Sequence, residues 1–285
     1  ASDVYKRQVP EYAEQKRIVT FLDAQCAEID AVLEKTRASI EEYKKLKQAV
    51  ITQAVTKGIH GDRPMKDSGI EWIGEIPAEW DVVRQKYFWN TVESGVSVNA
   101  ADKPVDNSEQ YGVLKTSAVS KFVFIPTEHK QVNLEEYGRV SCPVRADSII
   151  ASRMNTPELV GACGYVQNNY PNLFLPDRLW QITFKDRLSP KYVWYYLSGI
   201  RVRQYISSLS TGTSSSMQNI SQSQYGNILI TIPSVEEQSE ITKYLDEKYA
   251  GIDALIAKKQ QYLTEIENYK KSLIYEYVTG KKEVV

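Results

Sequence analysis

The sequence predicts an α+β protein, with one mixed α/β globular domain set between two long helices that pair with each other. Three observations predict it. A segment of about fifty residues occurs twice, each copy carries the 3.5-residue spacing of a helix-pairing seam, and the stretch between the copies reads as short strands and turns. Residues 9–58 match residues 232–281 without a gap when 223 is added to each position. Pro10, Glu14, Gln15, Ile18, Leu22, Asp23, Ile29, Asp30, Lys35, Glu42, Lys47, Ile51, Val55 and Thr56 all meet an identical residue.

The first copy places Leu22, Cys26, Ile29, Leu33, Thr36, Ile40, Tyr43, Lys47, Val50 and Ala54 at alternating spacings of four and three. The second repeats this with Leu245, Tyr249, Ile252, Ile256, Lys259, Leu263, Ile266, Lys270, Leu273 and Tyr277. Such spacing keeps one stripe facing a partner helix, and polar interruptions at Thr36/Lys259 and Lys47/Lys270 fix register at some expense of stability. A narrow apolar stripe on a helix of about 40 residues, roughly 60 Å long, needs a partner in water. The simplest partner for one copy is the other. Each helix starts with a proline and early glutamates, Pro10 with Glu14 and Pro233 with Glu237, which suit a first turn and its positive dipole end.

The expected organisation is residues 1–8 as a foreign-looking start, 9–60 as the first helix, 61–81 as a linker, 82–231 as the globular domain and 232–285 as the second helix. The opening ASDVYKRQ has neither seam pattern nor counterpart before Pro233, so residue 9 is expected to continue from an upstream region. In the linker, Trp72, Ile73, Ile76 and Trp80 read as an anchor onto the domain. Within the domain, 111–119, 121–125, 147–152, 162–166, 179–184 and 227–232 read as strands. Residues 189–207 read as one helix capped by Ser189, with Val193, Tyr196, Leu197 and Ile200 on its inner face. Residues 210–221, STGTSSSMQNIS, read as a flexible polar loop.

Composition narrows the function classes. No apolar run approaches a membrane span and no signal peptide opens the chain. Three scattered cysteines and two isolated histidines form neither a disulfide framework nor a metal site, which fits a reducing, cytoplasmic setting. The chain carries no phosphate-binding GxxxxGK loop, no GxSxG nucleophile elbow, no metal-nuclease carboxylate set and no methyltransferase Pro-Pro loop, so no catalytic residues are expected. Net charge over 72–231 is +1, from 15 basic and 14 acidic residues, so no basic face is guaranteed. Local groups suited to DNA are nonetheless present: Lys115-Thr116-Ser117 after a strand, and Arg153, Asn155 and Thr156, whose guanidinium and amide suit guanine and adenine edges. Arg178, Arg201 and Arg203 suit phosphates, and Thr213, Ser214, Ser215, Gln218 and Asn219 offer hydroxyls and amides.

A PxxxEQxxI…LD…ID opening on a long heptad helix recurs here after a β-rich domain that ends in TGTSSSMQNIS, and GIEWIGEIPAEW precedes that domain. This combination, over residues 9–281, resembles the specificity (S) subunit of type I restriction–modification systems. The resemblance implies a target recognition domain at 82–231 that reads one half of a split duplex DNA site, flanked by helices paired as an antiparallel coiled coil. It implies methyltransferase (M) and restriction (R) subunits as partners, which carry S-adenosylmethionine, ATP and Mg, with no cofactor in this chain. The order helix, domain, helix matches the C-terminal half of such a subunit, favoured by the odd start, or a half-size subunit that dimerises with itself. The competing expectation is a coiled-coil adaptor that binds protein and has no DNA role.

Overall fold

The computed structural model describes residues 9–214 and 217–284. The start at residues 1–8 lies outside the described residues. In chain order the elements are α1 (Tyr12–Lys57), β1 (Met65–Asp67), β2 (Glu75–Pro77), β3 (Asp81–Arg84), β4 (Trp89–Glu93), β5 (Ala100–Ala101), β6 (Gly112–Leu114) and β7 (His129–Val132). They continue with β8 (Pro143–Val144), β9 (Ser148–Ser152), β10 (Met154–Asn155), β11 (Cys163–Val166), β12 (Tyr170–Phe174) and β13 (Leu179–Phe184). Last come α2 (Pro190–Ser198), α3 (Ile200–Leu209), β14 (Thr211–Ser214), β15 (Met217–Asn219), α4 (Gln222–Gly226), β16 (Leu229–Ile232) and α5 (Val235–Val278). The fold is mixed α+β. The described residues form two compact units, one within 1–47 and 248–285, the other within 48–247.

In the first unit, the 4/3 spacing decides which positions are shielded. Along α1, Leu22, Leu33 and Ile40 are buried and Cys26, Ile29, Thr36, Tyr43 and Lys47 half-buried. Along α5, Ile252 and Leu273 are buried, and Tyr249, Ile256, Lys259, Leu263, Ile266, Lys270 and Tyr277 half-buried. Ile18, Leu22 and Leu273 form one apolar cluster with Phe21, Ile29 and Tyr277 around them. Phe21 meets Tyr277 at 4.7 Å, Asp30 pairs with Lys270 at 2.6 Å, Arg37 with Glu267 at 2.9 Å and Lys47 with Asp253 at 2.8 Å. Partner numbers fall along α5 as they rise along α1, so the two helices run in opposite directions. Lys47 and Lys259, both polar in the seam, lie over the rings of Tyr249 and Tyr43 at 4.1 and 5.8 Å, which keeps their charges favourably placed where an aliphatic residue would pack.

The second unit is built on an antiparallel four-stranded sheet, β11-β9-β13-β4, and a five-stranded sheet, β5-β7-β6-β12-β8, in which β12 and β6 run parallel. β9, SIIAS, is buried at every position because the remaining core closes over both its faces. Leu114, Val119, Val144, Ile150, Val166, Leu173, Leu175 and Leu179 join elements of both sheets in one cluster. β3 pairs antiparallel with β16, Asp81 opposite Ile232, so the two ends of the globular segment lie side by side. The last turns of α1 and the first of α5 belong to this unit. Ile51, Val55, Ile241 and Leu245 are buried in it while Val50 is half-buried, and the Val55 carbonyl accepts from Thr231 Oγ1 at 2.6 Å.

The linker residues Ile73, Ile76 and Trp80 are fully shielded, and Trp72 stacks on Tyr205 with ring centroids 5.3 Å apart. Trp80 Nε1 donates to Glu237 at 2.7 Å, and Arg63, itself across the Trp80 ring, reaches the same carboxylate at 2.6 Å.

Four local expectations change. Of the strand read over 111–119, only Gly112–Leu114 forms one, and Thr116–Val119 winds as a 3-10 turn. Residues 121–125 are a turn rather than a strand, with Phe122 at φ 57°, and Ile125 N donates back to Ala118 O. The 189–207 helix is two, because Gly199 takes an extended conformation (φ −66°, ψ 138°) that ends α2 and restarts the winding as α3. Restarting changes the inner face: Val202, Arg203 and Ile206 are buried, and Ile200 is 49% exposed. Finally, 210–221 contains the two strands β14 and β15 rather than only loop.

Candidate nucleic-acid interface

The site is assembled by a small antiparallel sheet of order β10-β15-β14. Met154 lies opposite Asn219 and Asn155 opposite Gln218, so two segments read separately in the sequence become neighbouring strands. β14 completes the sheet, with Thr211 opposite Asn219 and Ser214 opposite Met217. Gly212 is required there, since a Cβ would stand 2.3 Å from the Met217 carbonyl. Arg153 fastens the sheet to its surroundings through backbone alone: its N–H donates to Arg178 O at 3.0 Å, and its carbonyl accepts from Ile220 N at 3.0 Å.

Arg153, Asn155, Thr156, Arg178, Gln218 and Asn219 therefore converge. Arg178 is exposed and Arg153 half-buried, and neither guanidinium forms an ion pair among the described residues. Asn155 Oδ1 accepts from Thr156 N at 2.9 Å, and Asn219 Oδ1 is buried without a hydrogen-bond partner among the described residues. Met217, 46% exposed, adds an apolar surface at the strand turn. Thr213 and Ser214 are placed in β14 by their backbone, and Ser215 lies outside the described residues.

Lys115, Thr116 and Ser117 sit elsewhere, at the end of β6 and the start of a 3-10 turn over Thr116–Val119. Two of them have protein partners. Lys115 faces Asp102 at 3.7 Å, and Ser117 Oγ donates to Glu128 at 2.6 Å. Arg201 is exposed and donates to the Trp72 carbonyl at 3.4 Å. Arg203 corrects the expectation of a phosphate contact. It is 7% exposed, and its Nη2 donates to the carbonyls of Glu158 and Val160. Burial lowers its affinity for its proton.

No group of three or more metal-ligating side chains occurs among the described residues, and no described helix is long and apolar enough to cross a membrane. The thiols of Cys142 and Cys163 are pushed up to about 11 by burial, which keeps them protonated and unreactive near neutral pH.

Residues 77–265 match the family model for the type I restriction modification DNA specificity domain. The chain is 27% identical over 97% of its length to the type I restriction enzyme MjaVIII specificity subunit of Methanocaldococcus jannaschii, covering 62% of that protein. It is 21% identical over 98% of its length to the EcoKI specificity subunit of Escherichia coli, covering 58% of it. The chain thus spans about three fifths of those relatives. Among solved structures, a chain from work on complex assembly of the type I R-M system aligns with a TM-score of 0.66 at 18% identity, over 94% of this chain and 60% of that one. The HsdS subunit of Thermoanaerobacter tengcongensis aligns with a TM-score of 0.53 at 17% identity, over 96% and 60%. With the family model covering well over half of it, this chain belongs to the type I restriction modification DNA specificity domain family.

Proposed function

We propose that this chain is a DNA sequence-specificity component of a type I restriction–modification complex, non-catalytic in itself, whose domain at 82–231 reads one half of a bipartite duplex site. The observation that carries this is the meeting of Asn155, Gln218 and Asn219 on one three-stranded sheet, with Arg153 at its edge and Arg178 bonded to Arg153 through the backbone. A β-ribbon is narrow enough for the major groove. Bidentate guanidinium and amide groups there discriminate guanine and adenine by about 1–3 kcal/mol per pair. Exposed Arg178 suits the adjoining phosphates.

The paired helices act as an antiparallel coiled-coil spacer with its seam at Leu22, Ile29, Leu33, Ile40, Val50, Leu245, Ile252, Ile256, Leu263 and Leu273. Methyltransferase subunits dock on this component and supply the S-adenosylmethionine chemistry, while a restriction subunit supplies the ATP- and Mg-dependent steps. A second recognition domain, on another copy of this chain or in a longer form of it, meets the repeat positions left uncovered. Gln15, Ile274, Val278 and Thr279 are exposed where their counterparts Gln238, Ile51, Val55 and Thr56 are buried.

The test is co-purification with the methyltransferase subunit of the same system, followed by selection of bound duplexes from a random pool. Enrichment of one short motif, with affinity that falls steeply with salt, is the expected result. A palindromic repeat of that motif would identify a self-dimer. A complex that enriches no sequence would move the weight to a protein-binding adaptor.

A further inference from the structure

The two strands flanking β15 both take their position from α3. β14 does so by continuity, since Ser210 caps α3 and Thr211 opens the strand. β10 does so through the turn that follows it. Ser207 Oγ donates to Pro157 O at 2.9 Å, and one helical turn earlier Arg203 Nη2 donates to Glu158 O at 3.0 Å and Val160 O at 2.7 Å. The turn then closes on β9 at Gly161, whose N–H donates to Ser152 O at 2.7 Å. Gly161 has φ +67°, and a Cβ there would lie 2.7 Å from Ile206 of the same helix, so helix and turn are in direct contact. The Arg203 guanidinium lies 4.9 Å from the Phe122 ring centre.

This is a costly way to build a core. Arg203 Nε and Nη1 are both buried without partners, and no described carboxylate pairs with the charge. An aliphatic residue would fill the same space without the desolvation penalty. A guanidinium nitrogen that donates to two carbonyls of one turn does what an aliphatic residue cannot: it fixes where that turn stands.

We propose that Arg203, assisted by Ser207, is a positioning residue for sequence readout, which holds the 157–161 turn so that Arg153 and Asn155 keep their register beside Gln218 and Asn219. The proposal rests on the DNA-reading role assigned above. It predicts that Arg203 acts on discrimination between sequences and leaves general attraction to duplex DNA intact, since it offers no surface to phosphates.

The experiment uses the full chain with its methyltransferase subunit, a duplex selected by the wild type, and a scrambled duplex of the same composition. Arg203→Met should lower affinity for the selected duplex by about tenfold while the scrambled duplex binds within about twofold of wild type. Arg203→Lys should restore part of the loss, because an ammonium can donate to the same two carbonyls but lacks the planar group that lies against the Phe122 ring. Ser207→Ala, which keeps the guanidinium and the packing, serves if Arg203→Met does not fold. It should lower discrimination by a few-fold and speed amide exchange over residues 154–161. A folded Arg203→Met with wild-type discrimination, or Ser207→Ala unchanged in both readouts, would overturn the proposal alone. A wild-type complex that selects no duplex would remove the DNA reading and this proposal with it.

Discussion

The two copies of the repeat carry the same residues into opposite circumstances. Ile51 is fully buried, and Ile274, its counterpart, is 38% exposed; Val55 is 2% exposed and Val278 58%. Gln238 is buried and bonds Ser189 N, Arg187 O and Pro233 O, while the Gln15 side chain on the other copy is exposed and among the described residues reaches Pro10 O. Glu237 holds both Trp80 and Arg63, whereas Glu14 has Arg17 one turn away as its sole ion-pair partner among the described residues. Identity in sequence therefore does not report a shared local environment. It reports a shared capacity, used on one copy within residues 48–247 and left open on the other.

Substitutions made in pairs test that contrast. The largest effect is expected at the fully buried isoleucine. Ile51→Ala should cost about 2–4 kcal/mol in denaturant unfolding, the transfer and cavity terms together, while Ile274→Ala should stay within about 0.5 kcal/mol. Equal costs would mean that the second copy's end is also covered in solution. Next comes Glu237→Gln, which takes from a largely buried Arg63 the nearer and more buried of its two carboxylate partners, leaving exposed Glu79 at 3.0 Å, and should cost about 1–2 kcal/mol. Glu14→Gln should be silent within about 0.5 kcal/mol, as its partner is exposed. The smallest effect is expected where the copies meet. Asp30→Asn removes the exposed pair with Lys270, whose amine is held above its usual range mainly by the hydrogen bond to Asp30. Melting should drop slightly at low salt and be unchanged at high salt, where screening has already removed the attraction. A large loss at low salt that vanishes at high salt would mean the helices depend on ions rather than on the apolar seam.

How much was legible follows from how far apart the determining contacts lie. A seam is written in spacings of three and four, and every one of the twenty spaced positions is buried or half-buried. The linker anchor was equally visible, because Trp72, Ile73, Ile76 and Trp80 cluster within nine residues. At the candidate interface, Arg153–Thr156 and Thr213–Asn219 were each recognisable by residue type. Their pairing was not, since it joins strands about sixty residues apart through a register that no local pattern encodes. Arg203 was misjudged for a definite reason. Its residue type suited a phosphate, but it stands three residues after Ile200, on the same side of a continuous helix, and the break at extended Gly199 exposes Ile200 while Arg203 stays buried. A glycine within an apparent helix was the available signal.

The clasp of β3 on β16 has a consequence for how such a chain changes over time. Asp81 and Ile232 are directly opposite, so the path that leaves the helical part at one point re-enters it beside that point. A segment with adjoining ends is an insert: its removal and replacement leave a gap of only one strand pair to close, at little cost in loop entropy. A new domain of different residues but the same two closing strands would be accepted by unchanged helices. The globular segment is in this way closed on itself at its own base, and its interior is free to vary while the two closing strands stay as they are.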